Sequence, residues 1–403
     1  MTTRMVAALG AGQCVSWGVL YYAFAVLVRP LERELAVPTW WVTGAFSLAL
    51  LVSAVVAPTI GAWADRDKGP LVMQAGGFAA AGLLVAWTLV PGVVAMYVVW
   101  AGLGLCMAAT LYEPAFVIVG RTHGDPVRRL RAIAIVTLLG GLASTLFLPI
   151  TARLVGAVGW RGGVLVLAAV LAASTVLTRL LAFARLTTAP HLPALRGHGA
   201  PSAAASASRP GLRGLGATFG LVSLAGAAFI ANLVPALAER GVTPATAAML
   251  GGLVGVMQLP GRALMLHGAF AGPPQRLLVA SLALQAAGFG AVASGHSVAV
   301  LAAGIAVFAL GAGLSTLVRP HLIQTMFSNE SGGYLNGRIA RVQQLARAAG
   351  PLSMAWVAGV TGYGVVLAGI AVAFVGAALT TAASMPSGPG RTDRALSAWR
   401  QRN

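Results

Sequence analysis

Stretches of about twenty residues with almost no charge recur about a dozen times along this chain of 403 residues, and they limit what it can fold into. Charged residues make up 9% of the sequence and hydrophobic ones 58%. A water-soluble protein carries about a quarter of its residues charged. The surface of this chain must therefore face something other than water. A helix crosses the ~30 Å hydrocarbon core of a bilayer with about 20 apolar residues. Buried helices of a large soluble protein are the alternative, but the sequence lacks the amphipathic outer layer that would cover them.

Apolar windows between charges and Pro/Gly punctuation predict twelve spans, near 7–28, 41–63, 70–90, 93–119, 132–155, 162–183, 214–238, 243–266, 276–294, 297–325, 335–360 and 362–385. They are rich in Ala, Leu, Val and Gly and show no strand alternation. Small residues let helices pack closely in lipid. With the N-terminus inside, the inner segments hold 20 Lys and Arg and the outer segments 5 (Arg29, Arg33, Arg153, Arg161 and Arg240). This bias matches the positive-inside rule and places both termini in the cytoplasm. It also accounts for the net charge of +18, and the spread over alternate short loops argues against nucleic acid as a partner. The apolar run of the first span is longer than that of a leader peptide, so it is expected to remain attached. Cys14 and Cys106 fall inside spans and read as packing residues, not a disulfide framework.

Residues 185–213 interrupt the pattern. The low-complexity run from Ala200 to Pro210 has no large apolar residue and reads as a cytoplasmic linker. It separates an N-terminal half, 1–184, from a C-terminal half, 214–385, and a cytoplasmic tail covers 386–403. The halves repeat weakly. Glu113-Pro114 in span 4 corresponds to Arg319-Pro320 in span 10, Arg131 and Gly140 to Arg341 and Gly350, and Pro58 to Pro260. The expected fold is all-α integral membrane, with 12 helices as two pseudo-symmetric six-helix bundles. Such repeats mark secondary transporters, which bind substrate between the repeats near mid-membrane.

The loop after span 2 reads Gly61-Ala62-Trp63-Ala64-Asp65-Arg66-Asp67-Lys68-Gly69. Its spacing of Gly61, Asp65 and Arg66 resembles the G-x-x-x-D-R-x-G-R-K loop of the major facilitator superfamily, although Asp67-Lys68-Gly69-Pro70 departs from the usual ending. The resemblance implies a gating role for Gly61, Asp65 and Arg66. Gly61 would permit close helix approach, and Asp65 would sit at the N-terminus of span 11, where the dipole favours an anion. The plain alternative is a solvated turn. Superfamily drug exporters carry an Arg before the G-x-G of span 4 and Gly-Pro in span 5. Here Gly102-Leu103-Gly104 is preceded by Val98, and Gly140 is followed by Gly141. The phrase Trp17-Gly18-Val19-Leu20-Tyr21-Tyr22 loosely resembles the monocarboxylate and oxalate porter branch.

A charge at the bilayer centre costs roughly 2.5–3.5 kcal/mol, so it usually faces a partner or a wet cavity. Glu113, Arg319 and Arg347 are such charges. The resemblance places spans 1, 4, 7 and 10 around a central cavity, with Glu113 and Arg319 on facing walls. Substrate binding, with Glu113 as proton carrier, is one role for that pair, and a structural ion pair is the other. Two deep Arg against one Glu suit an anion, since Arg holds a carboxylate bidentately. For Arg347 the alternative is snorkelling to headgroups. Gln13, Tyr21 and Tyr22 of span 1, Asn232 of span 7 and Gln258 of span 8 are candidates for lining the cavity or for interhelical hydrogen bonds. Six His and two Cys give no metal-ligand spacing, and no cofactor or enzymatic constellation is indicated. The expected function is monomeric secondary transport of a small, monocarboxylate-like organic anion across the cytoplasmic membrane, with protons as the coupling ion. Proton-driven efflux of drugs or hydrophobic compounds is the second reading, and a non-transporting membrane sensor is a third, of another class.

Overall fold

The computed structural model describes residues 1–64, 68–89, 92–123, 126–184, 210–266, 274–326 and 332–383. Within these, the side chains of 126–127, 130, 210–212, 261–266, 316–317, 319–321, 323–326 and 332–338 fall outside the description. Most of the predicted linker (185–209) and the predicted tail (386–403) also lie outside it, as do Asp65 and Arg66.

The described residues form helices and the turns between them. We label the helical runs α1 (Thr3–Leu35), α2 (Thr39–Trp63), α3 (Gly69–Leu89), α4 (Val93–Thr122), α5 (126–158) and α6 (160–183). The second set is α7 (Pro210–Ala238), α8 (Pro244–Leu266), α9 (Pro274–Ser294), α10 (Val298–Met326), α11 (Gly332–Thr361) and α12 (Tyr363–Ala383). Among the described residues nine runs are long and apolar enough by themselves to cross a bilayer. Three reasons bring the helix count above that. The run Arg131–Phe183 has 53 residues, too many for one crossing, and it divides at Gly159, whose φ of 72° no helix accommodates. The apolar part of α8 is shorter, at Pro244–Pro260. In α11, Arg338, Arg341 and Arg347 dilute the apolar run. α7 begins at Pro210, inside the predicted linker, with proline at the first helical position where its missing N–H costs nothing.

Large apolar side chains point outward as well as inward. Val55, Leu89, Val98 and Val360 are each at least two-thirds exposed on the bundle, which suits lipid. The interior is held by glycine-mediated contact. A Cβ on Gly104 of α4 would lie 2.2 Å from the Ala49 carbonyl oxygen of α2. A Cβ on Gly313 of α10 would lie 2.6 Å from the Gln258 carbonyl oxygen of α8. Both members of the second pair stand 209 positions after those of the first, so the halves repeat in packing as well as in sequence.

The halves touch along three seams, the second part of α1 on α7, α2 on α11, and α5 on α8. On the α2–α11 seam the Leu352 N–H donates to Ser47 Oγ at 3.0 Å. On the α5–α8 seam Thr145 Oγ1 donates to the Gly252 carbonyl at 2.7 Å, and Gly255 presses on Thr145. Ser47 lies near the start of α2 and Leu352 near the end of α11, so that seam closes toward the end of the bundle opposite both termini.

At that same end each half is tied by a carboxylate. Glu34, at the end of α1, accepts from Arg161 Nη1 and Nη2 at 2.6 Å each and from the Trp160 indole at the start of α6. Glu239, just beyond α7, accepts from the Tyr363 N–H at 2.9 Å at the start of α12. Gly159 and Gly362, both at positive φ, make the turn before each tie. Arg29 pairs with Glu32 at 2.8 Å. Two of the five basic residues predicted for the outer side are thus offset by acids, which sharpens the charge difference between the two ends.

Candidate functional site

Two irregularities in otherwise regular helices build the middle of the N-terminal half. In α1 a π-turn covers Gly18–Tyr22. Such bulges insert an extra residue and re-aim the side chains around them. Gly18 allows it, because a Cβ there would fall 2.2 Å from the Phe147 ring of α5. In α4 the helix breaks at Leu111, between Val93–Thr110 and Tyr112–Thr122. Pro114 explains the break. Its missing N–H is the one that would have bonded the Thr110 carbonyl. Gln13 Nε2 takes that place, donating to the Thr110 carbonyl at 2.7 Å. Pro320 does not break α10 in the same way.

The break and the π-turn face each other through rings. Trp17 lies 4.9 Å from Tyr112 and 5.2 Å from Tyr21. Tyr21 lies 5.2 Å from Tyr22 and from Phe46, and Tyr112 stacks on Phe116 at 5.2 Å. Tyr21 is buried and Tyr22 half-buried. Arg347 of α11 is half-buried and forms no ion pair among the described residues. Its charge acts on the Tyr21 hydroxyl across the seam between the halves.

The other predicted residues divide. Glu113 is exposed in the first turn of the half-helix Tyr112–Thr122, where the dipole favours an anion, and it pairs with no described residue. The backbone of Arg319 is helical, and its side chain lies outside the described residues. Asn232 makes the interhelical hydrogen bonds that were one of its two expected roles. It is fully buried, with Nδ2 donating to the Pro351 carbonyl at 3.0 Å and Oδ1 accepting from the Tyr363 hydroxyl at 3.0 Å. Both ends of its amide join α7 to α11 and α12, so it is interhelical glue in this conformation. Gln13 bonds between helices through one end of its amide only, Nε2 to the Thr110 carbonyl, while its buried Oε1 has no partner among the described residues. Gln258 is half-buried, with its backbone against Gly313. A Cβ on Gly61 would meet no described atom within 4 Å. The sequence reading missed Trp17 and Tyr112 as partners. The signal available was Pro114, which marks where α4 must open.

The family comparison agrees with this architecture. The sequence model of the Major Facilitator Superfamily matches residues 6–351, and the chain belongs to that family. Among solved structures it is similar to a bacterial homolog of the human lysosomal transporter Spinster in an inward-facing, occupied conformation. That match has 16% identity and a TM-score of 0.68, and covers 94% of each chain. It is also similar to the nucleoside transporter NupG, with 14% identity, a TM-score of 0.70, and 94% and 98% coverage. A third is the human organic anion transporter MFSD10, with 17% identity, a TM-score of 0.68, and 94% and 99% coverage. At such identities these likenesses establish the fold. No curated protein sequence matches the chain. The protein is a superfamily transporter that works by alternating access.

Proposed function

We propose that this transporter carries a small organic anion of monocarboxylate type. The observation that carries this reading is Arg347. It is a half-buried residue in mid-helix with no ion pair among the described residues. A deep charge left without a protein partner needs one from elsewhere, and a carboxylate matches its planar fork. Tyr21 and Tyr22 of α1 add a hydroxyl-bearing wall at the π-turn, and Arg319 of α10 is proposed with them as a second deep charge in the sequence. Gln258 completes the candidate lining, and an anion is what the human relative MFSD10 is named for. Uptake into proteoliposomes tests the reading, with a panel of labelled monocarboxylates and cationic dyes. Carboxylate uptake supports it. Uptake of dyes alone would replace it with the efflux reading.

Glu113 is the proposed proton carrier, because it is a carboxylate at a helix break, with no ion pair among the described residues, in the same half as Tyr21. Glu113→Gln should abolish accumulation driven by a pH gradient while leaving substrate exchange within about twofold of wild type, since exchange requires no net protonation cycle. Loss of both activities together would remove Glu113 from the coupling role.

Gly61, Asp65 and Arg66 are proposed as the gating loop, and the chain is proposed to sit as a monomer in the cytoplasmic membrane with both termini inside. Cysteine labelling from outside should then succeed at Val93 and fail at Ser206. The native Cys14 and Cys106 are buried and give little background. The reverse labelling pattern would invert the orientation.

A further inference from the structure

A small cavity lies inside the N-terminal half, away from the seams between the halves. It is lined by Ser16, Gln74, Thr110, Ser174, Thr175 and Thr178, with Leu9, Gly12, Met73 and Phe183 completing the wall. It has room for roughly one or two water-sized bodies. Four helices, α1, α3, α4 and α6, enclose it.

Three of its polar groups, on Gln74, Thr110 and Thr175, present acceptors. Gln74 is over nine-tenths buried and directs Nε2 to the Thr175 carbonyl at 3.3 Å. Its Oε1 has no hydrogen-bond partner. An orphaned buried acceptor is costly and implies an occupant. Thr110 Oγ1 donates to the Cys106 carbonyl and Thr175 Oγ1 to the Leu171 carbonyl, each at 2.8 Å. Both hydroxyls therefore turn lone pairs, not protons, away from their own helix. Two glycines make room for the Thr178 and Thr175 hydroxyls. A Cβ on Gly12 would fall 2.5 Å from Thr178 Oγ1, and one on Gly77 would fall 2.4 Å from Thr175 Oγ1. No basic side chain lines the cavity, and no carboxylate does either.

We infer that this cavity is a binding site for a single monovalent hard cation, sodium. Oxygen-only ligands suit a hard cation. A divalent ion would lack a carboxylate to neutralise it, and a larger organic cation would not fit. The inference stands apart from the anion reading, because none of the lining residues belongs to the proposed substrate site.

Thermal unfolding of the full chain in detergent tests it, in 100 mM NaCl and in 100 mM choline chloride. Sodium should raise the midpoint by about 2–5 °C over choline, because a ligand held only by the native state stabilises it. Gln74→Leu should remove that difference, since it deletes the unpartnered oxygen. Ser174→Ala, a smaller change at the wall, should reduce it by about half and guards against misfolding of the first variant. Equal midpoints for wild type in the two salts would overturn the inference and leave the cavity to water. A sodium shift that persists undiminished in both variants would also overturn it, by placing the ion elsewhere.

Discussion

Arg347→Gln is expected to lower the apparent affinity for an anionic substrate by roughly 10- to 150-fold and to abolish uptake at low substrate concentration. Hydrogen bonds to a charged group are worth about 1.5–3 kcal/mol, and each 1.4 kcal/mol is tenfold. The same substitution should leave the thermal stability unchanged or raised. Arg347 has no described ion-pair partner, so its loss strands no opposite charge. A deep Arg also costs roughly 2.5–3.5 kcal/mol to keep in a membrane helix. Arg347→Lys should restore transport only in part, because an ammonium cannot reproduce the planar fork. Paired uptake and thermal-unfolding measurements on the purified variants separate the roles. A fall in stability that parallels the fall in uptake would make Arg347 a packing residue.

Gly104→Val and Gly313→Val should each destabilise the folded protein strongly. The added Cβ would stand 2.2 Å from the Ala49 carbonyl oxygen in one case and 2.6 Å from that of Gln258 in the other. The obstacles are backbone atoms of a neighbouring helix, so no rotamer change relieves them. Overpacking of this kind costs about 1–3 kcal/mol, and a forced separation of helices costs more. Because the two glycines are pseudo-equivalent, the losses should be similar. Gly61→Val is the control. A Cβ at Gly61 meets no described atom within 4 Å, so its midpoint should stay close to that of wild type. Midpoints for Gly104→Val and Gly313→Val matching that of Gly61→Val would mean that α2–α4 and α8–α10 do not approach as closely as described.

The membrane character, the helix positions and the family loop were legible in the sequence. Hydropathy and charge are properties of short windows, and lipid forces every apolar window of sufficient length into a helix. Pro210 and Gly159 show how far this local reasoning extends. Each sets a helix boundary through its own backbone geometry. The repeat was visible in the matched offsets of Glu113-Pro114 and Arg319-Pro320, and the glycine contacts at Gly104 and Gly313 follow the same spacing.

The role of each polar residue was decided by the tertiary structure. Gln13, Asn232 and Arg347 look alike in sequence, as single polar residues in apolar helices. Gln13 is bonded to Thr110, 97 residues away, and Asn232 to Pro351, 119 residues away. Arg347 forms no ion pair among the described residues. A polar group in lipid must be satisfied by whatever helix lies beside it, and the sequence of one helix does not name its neighbour. The sequence therefore determined that the chain crosses the membrane as a bundle of helices in two related halves. Only the packing of those helices decided which of their polar groups bond one another among the described residues.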